Sequence, residues 1–261
     1  DLIKSLTKKE HRILFYGPDK IEQIKNLISK YHNTTDLVSI PKINLNTERE
    51  MNSNQIFVVD YDMKQAEIIM YARGSKLDND KYPIIKLHNE YFGGGMSSIV
   101  FQDLRESKAL AYSVYSTYTI PKKLEDSHYQ FSYIGTQADK LGEATDGMLG
   151  LLTQMPEANS NLENAKEAIL QKIRTERITK TKVLDYFEAA QKINIDYDQR
   201  KDLFDNVSSF SMDDLRKFHN SHVNNENFTY MVLGNVEDLD MEILERYGNV
   251  QVLNLEDIFG Y

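Results

Sequence analysis

Residues 87–118 read LHNEYFGGGMSSIVFQDLRESKALAYSVYSTY. Three patterns follow one another in this stretch. Residues 80–92 place Ile84, Ile85, His88, Tyr91 and Phe92 at helical spacing. Gly93, Gly94 and Gly95 then stop the run, because glycine readily adopts the backbone shapes that end a helix. Ser97 or Ser98 can cap a second helix reaching Ser107, with Ile99, Val100, Phe101 and Leu104 on its buried side. Residues 109–118 alternate and are rich in Tyr, Val and Ser, which predicts a strand.

Working outward, HYQFSYIGTQ at 128–137 alternates too and sets Tyr129, Phe131 and Tyr133 on one face. With the preceding strand it makes an antiparallel pair joined by a long loop containing Pro121. Upstream, IFVVDYDM and AEIIMYAR are two β-rich runs, and the step near Met63 and Lys64 suggests a hairpin or a bulge. HRILFYG at 11–17 reads as a strand closed by Gly17-Pro18, and 19–31 as a helix with Asp19 as N-cap. Residues 32–54 read as a linker. Downstream, helices are expected over 138–155, 161–179, 181–198 and 211–222, the last opening on a capping-box spacing of Ser211 and Asp214. A strand at 228–233, a helix at 237–247 and a strand at 250–253 follow. No β-α-β rhythm runs through this order. It predicts an α+β fold, an antiparallel sheet with helices packed on one face.

Composition narrows the function. The formal net charge is -9, which argues against nucleic acid as a partner, since phosphate binding needs a basic face. There is no cysteine, so disulfides, thiolate zinc sites and a cysteine nucleophile are excluded. No apolar run reaches the roughly 20 residues of a membrane span. The chain opens at Asp1 in what reads as mid-protein, so an upstream portion is expected.

Several motifs fail on spacing. The three glycines follow a helix and lead into Met96-Ser97-Ser98 without a lysine, unlike a phosphate loop; a structural turn is the plainer reading. The histidines are His11, His32, His88, His128, His219 and His222. His219 and His222 are three apart, where zinc-peptidase helices carry two four apart or an HxxEH run. No metal site is expected on this chain, and most of the histidines are expected at surface or half-buried positions. No GxSxG elbow occurs. Arg105 and Tyr112 remain, the first near a helix end and the second on the next strand. An Arg can bind a carbonyl through its planar fork and a Tyr can donate to an oxyanion. On spacing alone, an Arg in a salt bridge and a Tyr in the core is the simpler reading.

Residues 87–118 as a whole resemble the signature of the C-terminal, non-catalytic domains of pitrilysin/insulinase-type zinc metallopeptidases: helix, Gly-rich turn, Ser, apolar-Phe pair, Arg-Glu pair, Leu-Ala-Tyr step and strand, in that order. QIFVVDYDMKQAEIIMYAR resembles the opening of such a domain, and FTYMVLGN with RYGNVQVLNLEDIFGY resembles its closing strand, helix and strand. The resemblance implies that residues 1–50 are the closing strand and helix of a preceding homologous domain plus a linker, and that 51–261 are the C-terminal domain. It implies a clam-shell peptidase in which an N-terminal half or subunit bears zinc on an HxxEH helix, while this half carries no cofactor, binds peptide substrate and closes the chamber. Arg105 and Tyr112 match a pair that reaches the substrate in such enzymes, and Gly93, Gly94 and Gly95 would form the structural turn ahead of them. The closing NLEDIFGY has the style of members from the bacterial periplasm or envelope. Two other readings stand beside this one: an inactive scaffold relative of the same family, and an unrelated small-molecule-binding domain.

Overall fold

The computed structural model describes residues 5–6, 8–32, 37–40, 48–225 and 227–260. They group into two compact units, Asp1–Arg49 with Arg177–Ala189, and Glu50–Glu176 with Ala190–Tyr261. The linker expected over 32–54 lies partly outside the described residues, at 33–36 and 41–47, as do Asp1 and the closing Tyr261.

In the first unit, the strand expected at 11–17 does not form. Residues 10–16 have no regular structure, and pairing among the described residues of this unit is limited to an isolated parallel bridge between Lys9 and Val38. Strand propensity cannot hold an extended segment whose N–H and C=O groups find no ladder. Helix α1, Ile21–Tyr31, follows; Lys20 rather than Asp19 occupies its N-cap, with no side-chain cap. None of its residues is buried, and Ile21 and Leu27 are each 53% exposed.

The second unit is built on one sheet. Its strands are β1 (Gln55–Asp60), β2 (Gln65–Lys76), β3 (Ser113–Tyr118), β4 (Ser127–Gln137), β5 (Thr229–Gly234) and β6 (Asn249–Leu253), in the order β3-β4-β2-β5-β1-β6. The architecture is α+β, as expected. The sheet is mixed: β3/β4, β4/β2 and β2/β5 are antiparallel, while β5/β1 and β1/β6 are parallel. The hairpin expected between β1 and β2 is therefore corrected, because β5 lies between them. A gap of two strand spacings is about 10 Å, within reach of the short link from β1 to β2.

Helices α2 (Tyr82–Phe92), α3 (Leu141–Thr153), α4 (Asn159–Thr175), α5 (Lys180–Lys192), α6 (Arg200–Asn206), α7 (Met212–Phe218), α8 (Met241–Tyr247) and α9 (Leu255–Phe259) complete the described regular helices, with α6 and α9 not foreseen. The expected capping box at Ser211 and Asp214 is present on α7. Period-two alternation puts Ile56, Val58, Ala66, Ile68, Met70, Ile134, Tyr230 and Val232 into the core. Ile85, Leu87, Met148, Leu152 and Leu215 meet them from the helices.

On β4 the usual polarity is reversed. His128, Gln130, Ser132 and Thr136 are buried, while Tyr129, Phe131 and Tyr133 lie on the other, half-buried face. Gln130 makes this tolerable by donating to Ser116 at 2.7 Å and Ser132 at 3.1 Å. The other face carries an aromatic ladder: Tyr71 stacks on Tyr129 at 4.5 Å between ring centres, and Tyr115 lies 5.3 Å from Tyr133.

Candidate functional site

The site begins where α2 ends. A Cβ on Gly93 would lie 2.2 Å from the Ser116 carbonyl oxygen, and one on Gly94 would lie 2.7 Å from that of Asn89. Neither has a positive φ, so close approach rather than a left-handed backbone explains both glycines. A Cβ on Gly95 meets ordinary spacing to Glu90. The approach docks α2 against the outer edge of β3. Asn89 donates to the Tyr118 carbonyl at 2.9 Å and accepts its N–H at 2.8 Å, and the Gly93 carbonyl accepts the Ser116 N–H. These bonds satisfy edge groups that would otherwise be open to another strand.

The next helix starts at Ile99 and widens into π geometry over Phe101–Ser107, with the Lys108 N–H bonded to the Asp103 carbonyl at 3.0 Å. Neither Ser97 nor Ser98 caps it; the Ser98 hydroxyl is buried without a hydrogen-bond partner among the described residues. Leu104 anchors the turn in the core against the bare face of Gly147, where a Cβ would come within 2.6 Å. The chain then reverses through Ala109, whose φ of 50 is left-handed. Leu110 N–H to Leu104 O at 2.8 Å closes the turn, and two bonds tie the return to the sheet: Thr136 hydroxyl to Leu110 O at 2.6 Å and Tyr112 N–H to Gly135 O at 2.8 Å.

This strap presents Arg105 and Tyr112 to one pocket of about 260 Å³, lined also by Glu106, Leu110, Gln137 and Lys140. Neither is sequestered: the Arg105 side chain is 46% exposed and Tyr112 51%. The guanidinium sits 4.8 Å over the Phe101 ring, and its Nε is 3.7 Å from Glu106 Oε1, an exposed pairing worth under about 1 kcal/mol. Gln137 Nε2 donates to the Tyr112 hydroxyl at 2.8 Å. Gln137 and Lys140 were missed by sequence reasoning. The strand register held the signal: Ser113 opposite Gly135 brings Gln137 beside residues 111 and 112.

The histidines depart from expectation. His88, His128 and His219 are buried, whereas His11 is exposed. They are accommodated as neutral rings. His219 Nε2 donates to the Leu152 carbonyl at 2.8 Å, leaving Nδ1 to accept from His88 Nε2 at 3.0 Å, and His88 stacks on Phe92. Burial lowers the pKa of both, that of His219 to about 4. Both His219 nitrogens and His88 Nε2 are committed to one another and to the main chain, while His88 Nδ1 is buried with no hydrogen-bond partner among the described residues. Among the described residues no group of three His, Cys, Asp or Glu could hold a metal ion.

Comparison with known proteins bears on the same strap. The family model of the peptidase M16 inactive domain matches residues 7–179, a span that includes the α2 turn, Arg105 and Tyr112. The chain belongs to the peptidase M16 inactive-domain family. This is the zinc-peptidase kinship that residues 87–118 suggested. The M16 domain is 37% identical over 110 residues to a Bacillus subtilis (strain 168) protein named as an uncharacterized zinc protease, YmxG, covering 41% of this chain and 26% of that one. In fold it is similar to a peptidase M16 inactive domain from Pseudomonas fluorescens, with a TM-score of 0.65 at 17% identity over 84% of this chain and 52% of the other. It is similar also to a protease from Helicobacter pylori, with a TM-score of 0.64 at 16% identity over 82% and 53%. The chain thus spans about a quarter of the curated relative and about half of these solved chains. Among the described residues, no helix is long and apolar enough to cross a membrane.

Proposed function

We propose that this M16 domain is the substrate-binding, chamber-closing half of a zinc endopeptidase whose HxxEH helix and zinc lie on a separate N-terminal half or subunit. The observation that carries this reading is that Arg105 and Tyr112 line one open pocket and that each is about half exposed. A peptide carbonyl placed there meets a guanidinium fork and a phenol. Both would hold the peptide against the opposing half and favour negative charge as it develops on the carbonyl oxygen. The aromatic face of the sheet, with half-buried Tyr71 and Tyr133 and exposed Tyr115, suits the wall of a peptide chamber. Gly93 and Gly94 serve the site indirectly, by letting α2 seat against β3 and so placing the strap. Residues 1–50 belong, on this reading, to the end of a preceding homologous domain. The lack of any buried residue in α1 supports it.

The test is turnover of peptide by the complete assembly. Arg105→Ala and Tyr112→Phe should each lower kcat by about a hundredfold to a thousandfold, the range for losing one oxyanion donor, with zinc content by elemental analysis unchanged. Wild-type turnover in both variants would remove their assigned role, whereas an unsubstituted assembly without turnover would favour the inactive scaffold.

A further inference from the structure

We propose that Gln137 is a positioning residue that keeps the Tyr112 phenol as a hydrogen-bond donor to the substrate carbonyl oxygen; this rests on the role given to Tyr112 above. A phenol has a single O–H and can accept as well as donate. Gln137 Nε2–H donates to the Tyr112 oxygen at 2.8 Å, so the amide occupies an acceptor lobe and leaves the O–H uncommitted to it. The uncommitted hydrogen then serves whatever acceptor enters the pocket.

The arrangement is held by the sheet. Gln137 is the last residue of β4, and Tyr112 immediately precedes β3. The bonds Tyr112 N–H to Gly135 O and Thr136 hydroxyl to Leu110 O fasten the main chain on both sides of the pair. Lys140, three residues beyond Gln137, lines the same pocket and reaches the Ala109 carbonyl at 3.4 Å. Arg105 and Lys140 therefore supply further donors around the phenol, against a single carboxylate, Glu106. A ligand group that only accepts, such as a carbonyl or the oxyanion formed from it, is the chemical class this set favours.

Reversing the polarity of residue 137 is the decisive change. A carboxylate there can only accept, so it would take the Tyr112 proton away from the substrate. In the complete assembly, Gln137→Glu should lower kcat at least about tenfold, with KM within about twofold, because the donor matters most as charge develops. Gln137→Met, which removes the donor without inverting it, should cost only about threefold. In a Tyr112→Phe background, Gln137→Glu should add nothing, since the two act as one unit. Equal melting temperatures would separate these effects from a loss of fold. Near-wild-type turnover in Gln137→Glu while Tyr112→Phe is slow, or a larger loss in Gln137→Met than in Gln137→Glu, overturns the proposal. Wild-type turnover in Tyr112→Phe overturns instead the underlying reading of the pocket.

Discussion

His219 sits in the core with both ring nitrogens engaged, toward Leu152 on one side and His88 on the other. Protonating the pair would put a charge among Phe92, Phe218 and Leu152 with no carboxylate among the described residues to offset it; His222 is a further titratable ring acting on His88, and its pKa too is lowered by burial. The sign follows from linkage. The unfolded chain takes up protons below about pH 6.5, while the folded chain resists until His219 titrates near about 4. Stability is thus complete above the unfolded value and falls as pH drops toward the folded one, by about 2 kcal/mol at pH 5 from His219 alone. Urea midpoints at pH 7 and pH 5 should show this loss, and His219→Gln should flatten the dependence. These burials were illegible in the sequence, because isolated polar letters between apolar ones do not say which ring finds a carbonyl. Arg105 and Tyr112 were singled out by their motif and line one pocket in the fold, whereas Gln137 needed a strand register that only the folded sheet provides.

The contact between the end of α2 and β3 is the most demanding junction between elements. Gly93→Ala would drive a methyl into the Ser116 backbone, which cannot rotate away as a side chain can. It should destabilise the domain by at least about 1–3 kcal/mol, read as a lower urea midpoint, and should reduce turnover by shifting the strap that carries Arg105. Gly95→Ala meets no such obstacle and serves as the control. Alternation and helical spacing located most elements of the second unit within a few residues, because each strand and helix carries its own burial period. Pairing was another matter. The β-rich runs at 55–60 and 65–76 look like a hairpin, yet β5 is the neighbour both strands share. The π turn at 101–107 also left no local mark; within it Leu104 seats against Gly147, a contact made across the fold.

At the scale of the molecule, β1 has two neighbours, β5 and β6, and both come from the last part of the chain. Ile56 and Val58 reach full burial only once those strands are in place. A variant ending at Asn224 should therefore lack a cooperative unfolding transition, in contrast to the intact chain; circular dichroism during a urea titration would reveal the difference. Refolding of the intact chain should fall in the slow millisecond-to-second range typical of distant pairings. The same wiring governs birth on the ribosome. Roughly 170 residues separate Gln55 from its partner Thr229, so at about 5–20 residues per second the nascent strand waits on the order of ten seconds or more. Throughout that interval an apolar ribbon stays available to chaperones, or to its counterpart on an adjacent polysome.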